Sequence, residues 1–336
     1  MTDFEWAISI NRFMLNIVGL WPPDRDSRQI VGPKLRQLCS FITIVFVLMI
    51  PNLISLIRVW GDMISMINNM QLSLPLTITI LKVCIISYKQ EVLAPLIDMI
   101  EEDWMKVKIK EERDVMLRYA RITRPIAMCG LFIIVLALII GFGLPYLKMT
   151  RRYITNLTNS GKHLPIPTYY LHDVTKSPQF ELTLLAQIFA MILCGMFYSG
   201  IDNLFGLLVF HVCGQLENLH LRLTHMKKYL NYNEILKYNV QDHIRLIRSI
   251  EIIDDTFNLM LLGMLFYFAG LFCLQGFLII FVINQKDQLS VIQLSWFVLT
   301  IISACSHMCL YCAVGEILVT RNQMALSAFT KNHFTT

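Results

Sequence analysis

Apolar positions along this chain gather into runs too long for the core helices of a soluble domain. Five stretches, 37–57, 125–147, 182–201, 256–285 and 288–315, hold no Asp, Glu, Lys or Arg over 20 or more residues. A helix needs about 20 residues to cross a hydrocarbon core of about 30 Å. A sixth, shorter run, 72–87, carries Lys82. It reads as a further span, with the lysine near a helix end extending its ammonium to the interface. None of the runs alternates as the roughly 10-residue strands of a membrane barrel would. The pattern predicts an all-α fold, a polytopic membrane helical bundle of six spans.

Between the runs the pattern changes period. From Leu216, apolar residues recur at Leu219, Leu223, Met226 and Leu230, in steps of 3, 4, 3 and 4 that draw one stripe along a helix. Leu236, Val240, Ile244 and Ile247 are expected to continue the stripe. Spans four and five are therefore expected to run past the membrane as packed helices, and 88–124, which keeps Trp104, Met116, Leu117 and Tyr119, to do the same.

Charge sets the expected orientation. With the N-terminus inside, 21 of the 29 Lys and Arg fall on the cytoplasmic side and seven outside, with Lys82 in a span. That bias favours a cytoplasmic N-terminus. The organisation is then an N-terminal arm over 1–36 and a membrane bundle over 37–320. Helical loops 88–124 and 214–255 lie inside, loop 148–181 lies outside, and a short tail covers 321–336. The first 36 residues show no apolar core of signal-peptide type, so span one is expected to act as its own insertion signal. Asn156-Leu157-Thr158 is a glycosylation sequon in the loop placed outside.

Composition narrows the classes further. The chain is 55% hydrophobic and 16% charged, against about 25% charged in soluble domains. Its net charge of +5 comes from the inside loops, so it reflects topology rather than nucleic acid. There is no Walker loop, GxGxxG, nucleophile elbow or HExxH, so neither an enzyme nor a cofactor is expected. Cys305, His307, Cys309 and Cys312 lie close together in span six. His307 projects from a different face than the cysteines, so no metal site is expected. Asp202 is the acid met inside the long apolar stretch of span four. It is a functional candidate by default, weighed against a hydrogen bond to a neighbouring helix. Phe142 and Tyr146 in span three, with Phe189 and Met191 in span four, are candidates to line an apolar ligand cavity in the outer half.

The motifs resemble those of the insect odorant receptor family, seven-span receptors with an intracellular N-terminus. Asn11-Arg12-Phe13 and Gly19-Leu20-Trp21-Pro22 look like its N-terminal signature. Leu164-Pro165, Tyr169-Tyr170 and Ser177-Pro178-Gln179-Phe180-Glu181-Leu182 resemble its second extracellular loop. Asp202, His211, Gln215-Leu216, Leu219 and Leu223 match the close of span four, and His243 and Phe257 the approach to span five. Tyr311-Cys312 with Gly315-Glu316 and Leu318 match the end of span six. Two features depart from the pattern: Leu171-His172-Asp173, where an aromatic or Pro precedes the Asp in relatives, and the chain beyond Arg321. There the family continues to a pore-lining seventh span, which this sequence is expected to lack. The resemblance implies a receptor subunit in the plasma membrane of a sensory neuron. It would bind a small apolar volatile ligand and assemble with a shared co-receptor as a ligand-gated cation channel, in contact with membrane lipid. A form without the seventh span is expected not to conduct alone. A gustatory-type receptor of the same superfamily and a secondary transporter are the alternatives. The transporter would be expected to show mirrored halves and several midplane charges.

Overall fold

A computed structural model describes residues 2–22, 31–106, 108–139, 164, 166, 168–170, 173–174, 176–225, 232–285 and 291–333. Its helices are α1 (Asp3–Ile17), α2 (Val31–Ile44), α3 (Ile50–Arg58), α4 (Met63–Met105), α5 (Lys110–Leu138), α6 (Gln179–His225), α7 (Tyr232–Gln285) and α8 (Val291–His333). Among the described residues six stretches are long and apolar enough to cross a membrane: Val31–Arg58, Ser65–Met105, Lys110–Leu136, Gln179–His225, Asn233–Ile280 and Thr300–Ala328. The six expected spans are thus all present, in the expected order, in an all-helical bundle.

Length shows that the helices outrun the membrane. At 1.5 Å per residue, the 47 residues of α6 reach about 70 Å and the 54 of α7 about 80 Å, against a core of about 30 Å. The crossings are the apolar runs, charge-free apart from Lys82 in span two, and the remainder forms a helical body at the polar end. There Leu216, Leu219 and Leu223 are fully buried, as the stripe predicts. Met226 and Leu230 lie outside the described residues.

The second stripe is split: Leu236 packs against the main core and Ile247 is half-buried, but the middle of the stripe faces outward. Ile244 is 62% exposed and Val240 is exposed too, while Asn239, Asp242, Leu246 and Ser249 are buried. The α7 extension turns its polar face inward because that face has partners. Arg222 Nη2 lies 3.1 Å from Asp242 Oδ2, and Arg245 Nη2 lies 2.7 Å from Asp242 Oδ1. Paired charges offset the cost of burying this face.

α6 is the central mast. From Leu204 to Leu216 almost every side chain is buried, and the helix contacts α1, α2 with the π-helical turn after it, α4, α5, α7 and α8. Nearer its N-terminal end one face is open: Leu182, Leu185 and Phe189 are exposed in steps of 3 and 4, opposite buried Thr183, Gln187 and Ala190.

Two backbone features set the N-terminal arm and span one. Gly19 has φ +75°, and a Cβ there would sit 2.3 Å from Pro33 O, so only glycine fits this turn. Leu20 and Trp21 are thereby delivered into the core, where Gln90 Nε2 donates to both of their carbonyls. Pro51 sits in the first turn of α3, after a π-helical turn over Val45–Met49. Proline has no N–H, so it makes no i→i−4 bond to the Val47 carbonyl, which takes the Tyr170 hydroxyl at 2.8 Å instead.

The helix of span six does not stop at Arg321. It continues to His333, with Ala325 and Ala328 buried in the main core.

Candidate functional site

Two places in the bundle carry chemistry. The first lies at the N-terminal end of span four, the end expected to be the outer one. Leu48, Leu76, Ile166 and Ala190 form a separate buried cluster, with Leu72, Met191 and Cys194 packed against it. Four segments of chain contribute, and one of them, around Ile166, belongs to no helix. That segment reaches into the bundle through Leu164 and Ile166, both buried. It is held by the amide of Tyr169 on Pro51 O at 3.3 Å, by Tyr170 on Val47 O, and by Gln187, whose Nε2 donates to Thr168 Oγ1 and Tyr170 Oη at 3.0 Å each. Arg58 lies over the Tyr169 ring, 3.3 Å from its centroid. Apolar walls with few polar groups have the character of a small-molecule site.

Of the expected cavity residues, Met191 joins this cluster. Phe189 is not among the residues packed on it and is 56% exposed, on the open stripe of α6. In lipid, unlike water, the outward face of a helix is as apolar as the inward one, so an aromatic residue carries no sign of direction. Phe142, Tyr146 and the sequon Asn156 lie outside the described residues.

The second place is deep in the bundle. Asp202 lies 15 residues, or about 22 Å along the helix, from Gln187. Lys82 Nζ is 2.6 Å from Asp202 Oδ1, and Lys82 is fully buried. Its ammonium does not extend to the interface as expected, because the carboxylate is nearer than water. It also sits 3.7 Å from the centroid of the Tyr198 ring, a cation–π contact. Tyr311 Oη donates to Asp202 Oδ1, and His307 Nε2 stands 3.2 Å from Asp202 Oδ2. The His307 ring stacks on Tyr311 with centroids 5.2 Å apart, and its Nδ1 is 3.3 Å from Tyr198 Oη. Spans two, four and six therefore meet at one carboxylate. Of the two weighed roles for Asp202, helix-to-helix bonding is the one present here. Lys82 and His307 were not foreseen as its partners. A lone basic residue and a lone acid in separate apolar runs were the available signal.

The remaining motif residues divide. His211 is buried with Nε2 3.2 Å from Asp103 Oδ2, and Gln215 is buried with Nε2 3.5 Å from Met116 Sδ. Beyond the apolar run of span two, Asp103 also takes Arg245 at 2.7 Å and Lys106 at 2.9 Å. Burial alone would raise the Asp103 carboxyl, but the bonds and charges of His211 and Arg245 reverse this and hold it below its ordinary 3.8. Gly315 and Glu316 are exposed, and nothing lies within 4 Å of where a Gly315 Cβ would be. Among the described residues no group of three or more His, Cys, Asp or Glu could hold a metal ion.

The chain was compared with known proteins. The family model described as 7tm Odorant receptor matches residues 62–335, past the point near Arg321 where a departure was expected. No curated protein sequence matches it. Among solved structures it is similar to the insect olfactory receptor OR5 from Machilis hrabei, with a TM-score of 0.77 and 16% identity over 96% of this chain and 81% of that one. The same receptor in complex with eugenol matches with a TM-score of 0.71 and 16% identity, over 96% of this chain and 88% of that one. At that identity the likeness is one of fold.

Proposed function

The chain belongs to the odorant receptor family, and from that premise we propose that it is a ligand-tuned receptor subunit for small, mainly apolar volatile compounds. The observation that carries this reading is the outer cluster of Leu48, Leu76, Ile166, Ala190 and Met191, closed by the segment around residues 164–170. The bonds seen from the helices to the described residues of that segment are side-chain bonds and the Tyr169 N–H on Pro51 O, so in this reading it can lift without unwinding a helix. A ligand of a few carbons would enter there. The eugenol complex of the similar receptor supports a small aromatic or aliphatic compound as the ligand class.

In this reading the protein sits in the plasma membrane of a sensory neuron with its N-terminus inside, Asn156 outside and glycosylated, and its outer surface against lipid. With a co-receptor it forms a hetero-oligomeric, ligand-gated cation channel. Occupancy of the outer cluster displaces span four, and the Asp202 cluster carries that displacement to spans two and six. Phe142 and Tyr146 complete the ligand wall from span three. Neither a gustatory-type receptor nor a transporter has an observation in its favour. Current recording from cells expressing this chain with and without a co-receptor, over an odorant panel, tests the proposal. Odorant-evoked cation current that needs this chain supports it, and silence across the panel with the chain at the surface opposes it.

A further inference from the structure

Among the described residues, two buried hydrogen-bond acceptors without a donor belong to side chains one helical turn from the outer cluster. Gln187 is fully buried. Its Nε2 donates to Thr168 Oγ1 and Tyr170 Oη, and it reaches Ile166 O at 3.5 Å. A carbonyl can only accept, and the Tyr170 hydroxyl directs its proton to Val47 O. Both neighbours therefore require a donor from Gln187, which sets the orientation of its amide. The nitrogen faces the 164–170 segment, and Oε1 is left buried without a partner.

Asn52 repeats the arrangement. Its Nδ2 donates to Ser73 Oγ at 2.6 Å, and Ser73 Oγ gives its own proton to Asn69 O at 3.1 Å. The Asn52 nitrogen must face Ser73, and its Oδ1 is buried without a partner. Both residues stand one helical turn from members of the same apolar group: Leu48 one turn before Asn52, and Ala190 and Met191 one turn after Gln187. An acceptor buried without a donor is unfavourable, and two of them at one apolar cluster are an unmet demand for hydrogen.

We infer that the outer site takes ligands with an apolar body and one hydrogen-bond donor, such as an alcohol or a phenol, and that Gln187 Oε1 receives the hydroxyl proton, with Asn52 Oδ1 as the second acceptor. The inference rests on the receptor reading above and names the ligand class for that site. It makes Gln187 a residue of specificity. The apolar walls set size, and the amide oxygen separates donors from non-donors of the same shape. An apolar pocket without such an acceptor would prefer an ether to its isomeric alcohol, because the ether oxygen is less costly to strip of water.

The test uses the full chain in lipid nanodiscs and two probes of one molecular formula, 1-octanol and heptyl methyl ether. Affinity is read from ligand-induced thermal stabilisation. The wild type should bind 1-octanol roughly tenfold more tightly, the value of one hydrogen bond to a buried acceptor. Gln187→Met, of similar volume, should bring the ratio to one or invert it by weakening octanol while the ether is held. Asn52→Leu should narrow it. The wild-type ratio needs no variant, so a variant that fails to fold does not remove the test. Equal affinities in the wild type would overturn the inference and leave the receptor reading standing. That is the result expected if an ordered water satisfies the amide. An octanol preference unchanged in Gln187→Met would overturn it as well. A wild type that binds neither probe would overturn it together with the receptor reading.

Discussion

Lys82 Nζ lies 2.6 Å from Asp202 Oδ1, so spans two and four are joined by an ion pair whose lysine is wholly buried and whose carboxylate is largely so. Removing one partner of such a pair leaves an uncompensated charge, at a cost of about 3–5 kcal/mol, whereas replacing both with apolar or neutral groups is often neutral. Lys82→Met and Asp202→Asn should each lower the unfolding temperature and surface delivery sharply. The double variant should recover a large part of the loss. Thermal unfolding of the four proteins checks this, and strictly additive losses would mean that the two side chains do not act as a pair.

At the polar end, the two apolar stripes should respond in opposite ways. Leu223 is fully buried and Ile244 is 62% exposed. Leu223→Glu should cost about 3 kcal/mol or more, since a buried charge there has no partner. Ile244→Glu should change the stability of the single chain by about 0.5 kcal/mol or less. Chemical unfolding of the two variants decides. Equal losses would contradict the face assigned to the α7 extension.

Acid should reveal Asp103. Its carboxyl is held below its ordinary 3.8 in the folded chain. A depressed folded value contributes stability that is fully present above the ordinary value and is lost as pH falls below it. Stability should therefore drop as pH is lowered from 5 to 3. Asp103→Asn, costing about 3 kcal/mol at neutral pH, should flatten that drop. The partners in place are His211, Arg245 and Lys106. A pH series of unfolding temperatures for both proteins provides the check.

The outer segment offers a kinetic prediction. Tyr170→Phe removes the donor to Val47 O, a bond worth about 1 kcal/mol, and Tyr169 N is bonded to Pro51 O beside it. Hydrogen exchange at the Tyr169 amide should quicken by about fivefold, following the 1 kcal/mol, while amides in α6 near Phe197 hold their protection. Unchanged exchange would mean that the segment is secured elsewhere.

The spans were legible because a helix crossing lipid must be apolar over a known length, and no other fold writes runs such as 256–285 into a sequence. The inward stripe at Leu216, Leu219 and Leu223 was legible for a related reason: that part of α6 meets water at its edges, so apolar residues mark the buried face. Inside the membrane the same rule fails. Phe189 and Met191 are both apolar, yet one faces outward and the other joins the cluster. There the polar residue marks the inside, and Gln187 in the run 182–201 carried that signal, though charges alone were weighed. Asp202 was legible as unusual. Its partners, 120 and 105 positions away, were not, since no local period links Lys82, Asp202 and His307. The polar inward face of the α7 extension was hidden too, because hydrophobic period assumes that charges seek water, and Asp242 instead meets Arg222 and Arg245.

Binding at the outer cluster is tested most directly by filling it. Met191 packs against the cluster of Leu48, Leu76, Ile166 and Ala190, and Met191→Trp adds bulk where a ligand would lie, about 16 Å from Asp202 by helix rise. Equilibrium binding of a labelled odorant that activates the wild type should be lost or weakened by tenfold or more, while the unfolding temperature and the effect of Lys82→Met stay as in the wild type. Binding that is unchanged in a folded Met191→Trp protein would contradict the placement of the ligand in this cluster.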